Sequence, residues 1–203
     1  MTKRLRAKGK IERRYGAIFW DQKSSPVKVR SYASGQHGTK PKRKGTEYKA
    51  QLSSKQKLKG IYGDISERQF HSLFKEAQNS RGHTGENLIT YLEMRLDSCV
   101  YRAKWVPTPF MARQLVNHHH VRVNGKKVNI RSYRLRVGDV VTLDEKMQRN
   151  ATVMTASDSS NRDVPGYMDV KGFEAKIVRL PDIQEVPYPF QVDTQSIIEY
   201  YSR

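Results

Sequence analysis

Apolar positions along the chain change their period twice. From Thr46 to Tyr62, Tyr48, Leu52, Leu58 and Ile61 fall at helical spacing while Lys55, Lys57 and Lys59 take the other side, which predicts an amphipathic helix ended by Gly63. Ser66-Glu67-Arg68-Gln69 reads as a capping box opening a second helix with Phe70, Leu73, Phe74 and Ala77 on one face. After a turn at Arg81-Gly82, Leu88, Leu92, Leu96, Cys99 and Val100 continue the helical period and predict a third helix over 86–103. Thr108-Pro109 supplies an N-cap and a first-turn proline for a fourth, running to about Asn117.

Beyond Asn117 the period shortens to two. Val121 and Val123 alternate with His120 and Arg122, Asn124-Gly125 is a strong hairpin signal, and Val128 and Ile130 alternate with Lys127 and Asn129. "VGDVVTL" predicts another strand after a Gly138-Asp139 turn, and "YMDVKGFEAKIV" a hairpin turning at Lys171-Gly172, with Phe173, Ala175 and Ile177 on one face. The polar stretch between them reads as a loop or partly helical connector. "PDIQEVPYP" reads as a linker, and Ile197, Ile198 and Tyr201 as a short closing helix. No internal repeat is present. Residues 1–45 show no sustained period and are broken by Gly9, Gly16, Pro26, Gly35, Gly38, Pro41 and Gly45, so no core of their own is expected. Ile18, Phe19, Trp20 and Tyr32 are the apolar residues available to pin this arm onto a partner.

Charge changes this picture from a generic α+β chain to a polyanion binder. The net charge over 203 residues is +18, more than solubility asks for. Nucleic acid is the first candidate partner and an acidic membrane surface the second. Residues 1–50 hold 15 Lys/Arg against 3 Asp/Glu and residues 91–150 hold 12 against 5, whereas residues 151–203 hold 5 against 8. Two basic contact regions are therefore expected. No apolar run approaches the ~18 residues of a membrane span, and "MTKRLRAKGK" lacks the apolar core of a secretory signal, although a mitochondrial presequence is also basic and acid-poor. The single cysteine, Cys99, falls on an apolar stripe and reads as an inert core thiol in a reducing compartment.

His118, His119 and His120 invite a zinc reading, yet no cysteine pair, H-E-x-x-H or second histidine cluster accompanies them. Phosphate-loop, dinucleotide-binding and paired-carboxylate signatures are also missing. No catalytic residue, metal ligand or cofactor is expected. The competing readings of the basic hairpin are a solvated strand face and a nucleic-acid surface. Arg113 and Asn117 lead directly into His118, His120, Arg122, Lys126 and Lys127, with apolar residues facing away; a continuous polar face of this kind suits a phosphate backbone. An RNA-modifying enzyme and a DNA-binding regulator are the rival classes.

Leu92-Glu93-x-Arg95-Leu96, Val100-Tyr101-Arg102, Ala112-Arg113-x-Leu115-Val116, Val123-Asn124-Gly125 to Val128-Asn129-Ile130, Ser132-Tyr133 and Gly138-Asp139-Val140 resemble the S-four RNA-binding module. The flanks narrow the resemblance. Arg13-Arg14-Tyr15-Gly16, Gly35-Gln36-His37-Gly38, Gln51-Leu52, Lys55-Gln56-Lys57-Leu58, Ile61-Tyr62-Gly63, Arg68-Gln69-Phe70, Gly85-Glu86-Asn87-Leu88 and Glu199-Tyr200-Tyr201-Ser202-Arg203 resemble the bacterial-type family of the fourth small-subunit ribosomal protein, over nearly the whole chain.

The resemblance implies a structural, non-enzymatic protein of the ribosome in the cytoplasm or an organelle. It would bind small-subunit ribosomal RNA early, nucleate assembly of the subunit body and, with the fifth small-subunit protein, influence translational accuracy near the messenger RNA entry path. The RNA contacts expected from residues and resemblance together are Arg13, Arg14, Gln36, His37, Lys40, Lys42, Arg43, Lys44, Lys55, Gln56 and Lys57 in the first half. In the second half they are Arg113, Asn117, His118, His120, Arg122, Asn124, Lys126, Lys127 and Arg134. The chain departs from the family in four ways. The arm carries none of the four zinc-binding cysteines of many members; His119 stands where glycine is usual, which a positive φ there would strain mildly; Arg131 stands where proline or alanine is frequent; and Ser34 replaces a common proline.

The expected architecture is α+β. A basic arm over 1–45 precedes a helical domain over 46–92, completed by 180–203, with an RNA-binding module of helices and antiparallel hairpins inserted over 93–179.

Overall fold

A computed structural model describes residues 8–20, 25–40, 45–158 and 162–202. It mixes helices with one antiparallel five-stranded sheet, an α+β fold. The chain divides into two compact units, 1–61 with 188–203 and 62–187, where the sequence predicts boundaries at 45/46, 92/93 and 179/180.

In the first unit, α1 (Lys8–Tyr15), α2 (Pro26–Val29), α3 (Glu47–Ile61) and α10 (Thr194–Ser202) are the described helices, and α10 packs along α3. The arm carries more structure than its sequence suggested. Phe19 and Trp20 are buried, and the Trp20 indole donates to the Ile61 carbonyl at 2.9 Å, which satisfies a polar atom taken out of water. Glu12 on α1 is buried and accepts from the Ser25 hydroxyl at 2.8 Å and the Phe19 amide at 3.2 Å. The close approach requires Gly60: a Cβ there would lie 2.4 Å from Ile11 Cδ1 and 2.7 Å from Phe19 Cε2.

The second unit begins with α4 (Glu67–Asn79) and α5 (Thr84–Glu93), packed against each other, then α6 (Leu96–Arg102) and α7 (Pro109–Asn117). Its caps follow the local sequence. Ser66 Oγ accepts from the Gln69 amide and Thr108 Oγ1 from the Met111 amide, both at 3.3 Å. The single helix expected over 86–103 is two helices, interrupted at Met94–Arg95. Backbone groups there pair with a distant strap: Leu96 N donates to Tyr133 O, Asp97 N to Arg131 O, and Leu135 N to Met94 O. These bonds replace the helical ones, so an unbroken apolar period crosses a real chain break.

The sheet follows in the order β2-β1-β3-β5-β4, from β1 (Val121–Val123), β2 (Lys126–Lys127), β3 (Val140–Leu143), β4 (Met168–Lys171) and β5 (Glu174–Ile177). Helices α8 (Glu145–Gln148) and α9 (Ala151–Asp158) fill the polar connector. Val121, Val123, Val141, Leu143, Ala175 and Ile177 alternate into the core. The expected second hairpin arm is shorter than its pattern: after Val128, whose amide still donates to Val121 O at 3.2 Å, the chain leaves the hairpin for a turn closed by Tyr133 N on Ile130 O, and Ile130 is exposed.

The second unit also holds a buried polar network. Arg102 donates to both carboxylate oxygens of Glu93, at 2.7 and 3.0 Å, while the Tyr62 and Tyr167 hydroxyls donate to the same carboxylate. Burial pushes the Glu93 carboxyl up, but Arg102 and the two hydroxyls pull it further down, and it ends below its ordinary value.

Candidate nucleic-acid interface

The helix-to-hairpin junction is built by an abrupt reversal. His119 adopts φ 62°, and the amides of His118, His119 and His120 turn back onto the carbonyls of Gln114, Val116 and Leu115, satisfying the last turn of α7. Histidine thus stands in the left-handed region that the departure from glycine had suggested. The reversal leaves the His118 and His120 rings 6.2 Å apart, with His118 exposed and His120 half-buried. No cluster of three or more histidine, cysteine or acidic residues able to hold a metal occurs among the described residues.

On the sheet, Arg122 lies directly opposite Lys127 and Val123 opposite Lys126. One row across the ladder therefore reads Lys127, Arg122, Thr142, Glu174, Lys171, and the next reads Lys126, Val123, Val141, Ala175, Val170. The first is a polar face; the second is the core face inward of the edge residue Lys126. Two cations directly opposite each other oppose sheet formation. Asp144 offsets one of them, taking Arg122 at 3.1 Å, and Arg122 in turn pulls the Asp144 carboxyl down. Lys126 and Lys127 are exposed. At the turn, Asn124 (φ 49°) bonds through its side chain to Asp139 Oδ1 and to the Val140 amide, both at 2.9 Å.

Several expected contact residues serve the protein itself. Arg113 is nearly buried, at 12% side-chain exposure; it pairs with Asp97 at 3.1 Å and donates to the Gly63 and Tyr62 carbonyls. Burial lowers its pKa, and Asp97, itself held by two hydrogen bonds from Arg95, opposes the shift. Its guanidinium therefore ties the segment before α4 to α6. Arg134 forms a two-point pair with Glu76 and lies 4.2 Å from the Tyr91 ring centroid. In the first unit, Lys55 is buried with its ammonium 4.0 Å from the Tyr200 ring and 5.3 Å from that of Tyr201. Lys57 lies half-buried between Tyr15 and Phe190, beside a half-buried Gln56. Arg13 donates to the Tyr32 and Ala33 carbonyls and covers the Tyr32 ring.

Arg14, Gln36, His37 and Lys40 are exposed in the same unit, and Asn117 is half-buried in the second. Lys42, Arg43 and Lys44 lie outside the described residues. The 131–136 strap adds residues outside the expected RNA contacts: Arg136 and Tyr133 are exposed and Arg131 half-buried, on a backbone fixed to the start of α6. The signal was available in "RSYRLR", an aromatic interleaved with arginines.

Nucleophilic chemistry finds no support at Cys99. The thiol is fully buried, and burial, aided by the Glu93 charge, pushes it up to about 12. No helix among the described residues is long and apolar enough to cross a membrane.

A helix pair followed by a basic antiparallel hairpin is the architecture of an S4-domain protein, and residues 94–141 match the model described as the S4 domain. Residues 3–93 match the model of the ribosomal protein S4/S9 N-terminal domain. Proteins named small ribosomal subunit protein uS4 are similar along their full length. Those of Phenylobacterium zucineum and Bradyrhizobium diazoefficiens are 51% identical, and that of Brucella abortus 52%, with all of each chain covered. The chain belongs to the uS4 family, the structural, non-enzymatic proteins of the small ribosomal subunit.

Proposed function

We propose that this protein binds small-subunit ribosomal RNA early in assembly, nucleates the subunit body, and with the fifth small-subunit protein tunes translational accuracy beside the messenger entry path. The observation that carries the RNA-binding reading is the Arg122–Lys127 pair, two cations directly opposite each other at the sheet's edge. Such a pair disfavours strand pairing; Asp144 offsets Arg122, and the exposed Lys127 is left to a polyanion. Lys126, the exposed arm residues Arg14, Gln36, His37 and Lys40, and the His118–His120 turn extend the same contact chemistry, as do Arg131, Tyr133 and Arg136. Lys42, Arg43 and Lys44 join them by charge alone. Arg113, Lys55 and Arg134 act on the surface indirectly, by holding its elements in place. A full-length match to bacterial uS4 proteins supports action in the cytoplasmic ribosome.

The test is binding at matched salt to a small-subunit ribosomal RNA junction fragment, to duplex DNA and to an unrelated folded RNA. Selective binding to the ribosomal junction is expected. Preference for duplex DNA would replace this reading with that of a DNA-binding regulator, and equal, steeply salt-dependent binding to all three would reduce it to charge alone. For the finer roles, reconstitution of subunits without the protein is expected to stall body assembly.

A further inference from the structure

Asn124-Gly125 is a hairpin turn, and it is also the dipeptide whose chemistry is least protected by sterics. Gly125 has no side chain to shield its amide nitrogen, and a Cβ placed on it would meet nothing within 4 Å. Both residues are exposed. In an unfolded chain that nitrogen attacks Asn124 Cγ: the N–Cγ bond forms, the Cγ–Nδ2 bond breaks, and ammonia leaves with the displaced proton. Water then opens the cyclic imide to aspartate or isoaspartate, with no oxidant or reductant required.

The fold sets two hydrogen bonds against this reaction. Asn124 Nδ2 donates to Asp139 Oδ1 and Asn124 Oδ1 accepts from the Val140 amide, each at 2.9 Å, while the Asn124 backbone amide donates to Val140 O at 2.8 Å. Asp139 is itself oriented by the Arg136 amide at 2.7 Å on its other oxygen. The side-chain amide is thus strapped from the end of β1 to the start of β3, and Cγ cannot turn toward Gly125 without breaking both bonds.

We propose that Asn124 is a deamidation site gated by its bonds to Asp139 and Val140, and that its conversion to a carboxylate undoes the strap. The product has no N–H to give Asp139 and sets two carboxylates at hydrogen-bond distance. Isoaspartate also lengthens the backbone of a two-residue turn and disturbs the Arg122–Lys127 register. The gate stands independently of RNA binding, since both of its readouts are taken on the free protein.

The full-length chain is incubated at neutral pH, folded and in guanidinium chloride, and deamidation at residue 124 is followed by peptide mass and isoaspartyl methylation. The denatured chain is expected to react. The folded chain is expected to react at least about tenfold more slowly, the factor that a local opening cost of about 1.4 kcal/mol imposes. Equal rates, or an unreactive denatured chain, would overturn the proposal. A second arm swaps the pair: Asn124→Asp is expected to lower the melting temperature, and Asp139→Asn added to it to recover most of the loss, because the amide then donates from the other side. Failure of the double variant to recover would show that the strap is not what the carboxylate breaks.

Discussion

Arginine carries opposite duties in two regions of the second unit. Among the helices, Arg102 and Arg95 are buried and Arg113 is nearly so, and each is matched to a carboxylate, at Glu93 or Asp97. At the sheet's edge, Arg122 faces Lys127 and pairs with the partly exposed Asp144. Buried charge must be neutralised inside the protein, because desolvation costs more than any single attraction returns. Exposed charge is free to be left in excess, and that excess is available to a partner. Cation content alone therefore misleads; the accessible, unbalanced cations define the interface.

Breaking the buried side has the largest expected effect. Glu93→Ala strands Arg102 together with the Tyr62 and Tyr167 hydroxyls and is expected to cost about 3–5 kcal/mol, read by denaturant unfolding. The same carboxyl sets a pH signature. Its folded-state pKa lies below the ordinary value, so its contribution is complete above the unfolded value of about 4.3 and is lost as pH falls through the depressed folded value. Glu93→Gln is therefore expected to flatten the acid limb of the stability curve; an unchanged limb would mean that the network is neutralised otherwise.

Arg113→Ala sharpens the contrast. Loss of its bonds to Asp97 and to the Gly63 and Tyr62 carbonyls is expected to cost about 2 kcal/mol, with no change in the salt dependence of RNA binding by the folded protein. Smallest in stability, and largest in binding, is the paired substitution Lys126→Ala with Lys127→Ala. Unfolding is expected to shift by no more than about 0.5 kcal/mol, while RNA affinity falls at moderate salt.

Local chemistry was legible in the sequence and tertiary commitment was not. The Ser66 and Thr108 caps, the Asn124-Gly125 turn and the hairpin at Lys171-Gly172 depend on neighbours within a few residues, and all appear. The break at Met94–Arg95 was hidden because its bonding partners come from 131–135, about as far along the chain as a whole helical hairpin, while the apolar period runs on unbroken. α1 was hidden for the opposite reason: "KGKIERRY" offers only Ile11 and Tyr15 to suggest a period. The site divides in the same way. Lys127 sits on the polar face where the alternation put it, whereas Arg113 and Lys55 are drawn inward by Asp97 and by Tyr200 and Tyr201, residues that no local window contains.

The measurement that tests this division most directly is the slope of log affinity against log salt for a small-subunit ribosomal RNA fragment. It compares the wild-type protein with Arg113→Ala and with the Lys126→Ala, Lys127→Ala pair. The account predicts a wild-type slope for Arg113→Ala and a slope smaller by about one per lysine removed for the pair. A reduced slope for Arg113→Ala with an unchanged slope for the lysine pair would contradict it.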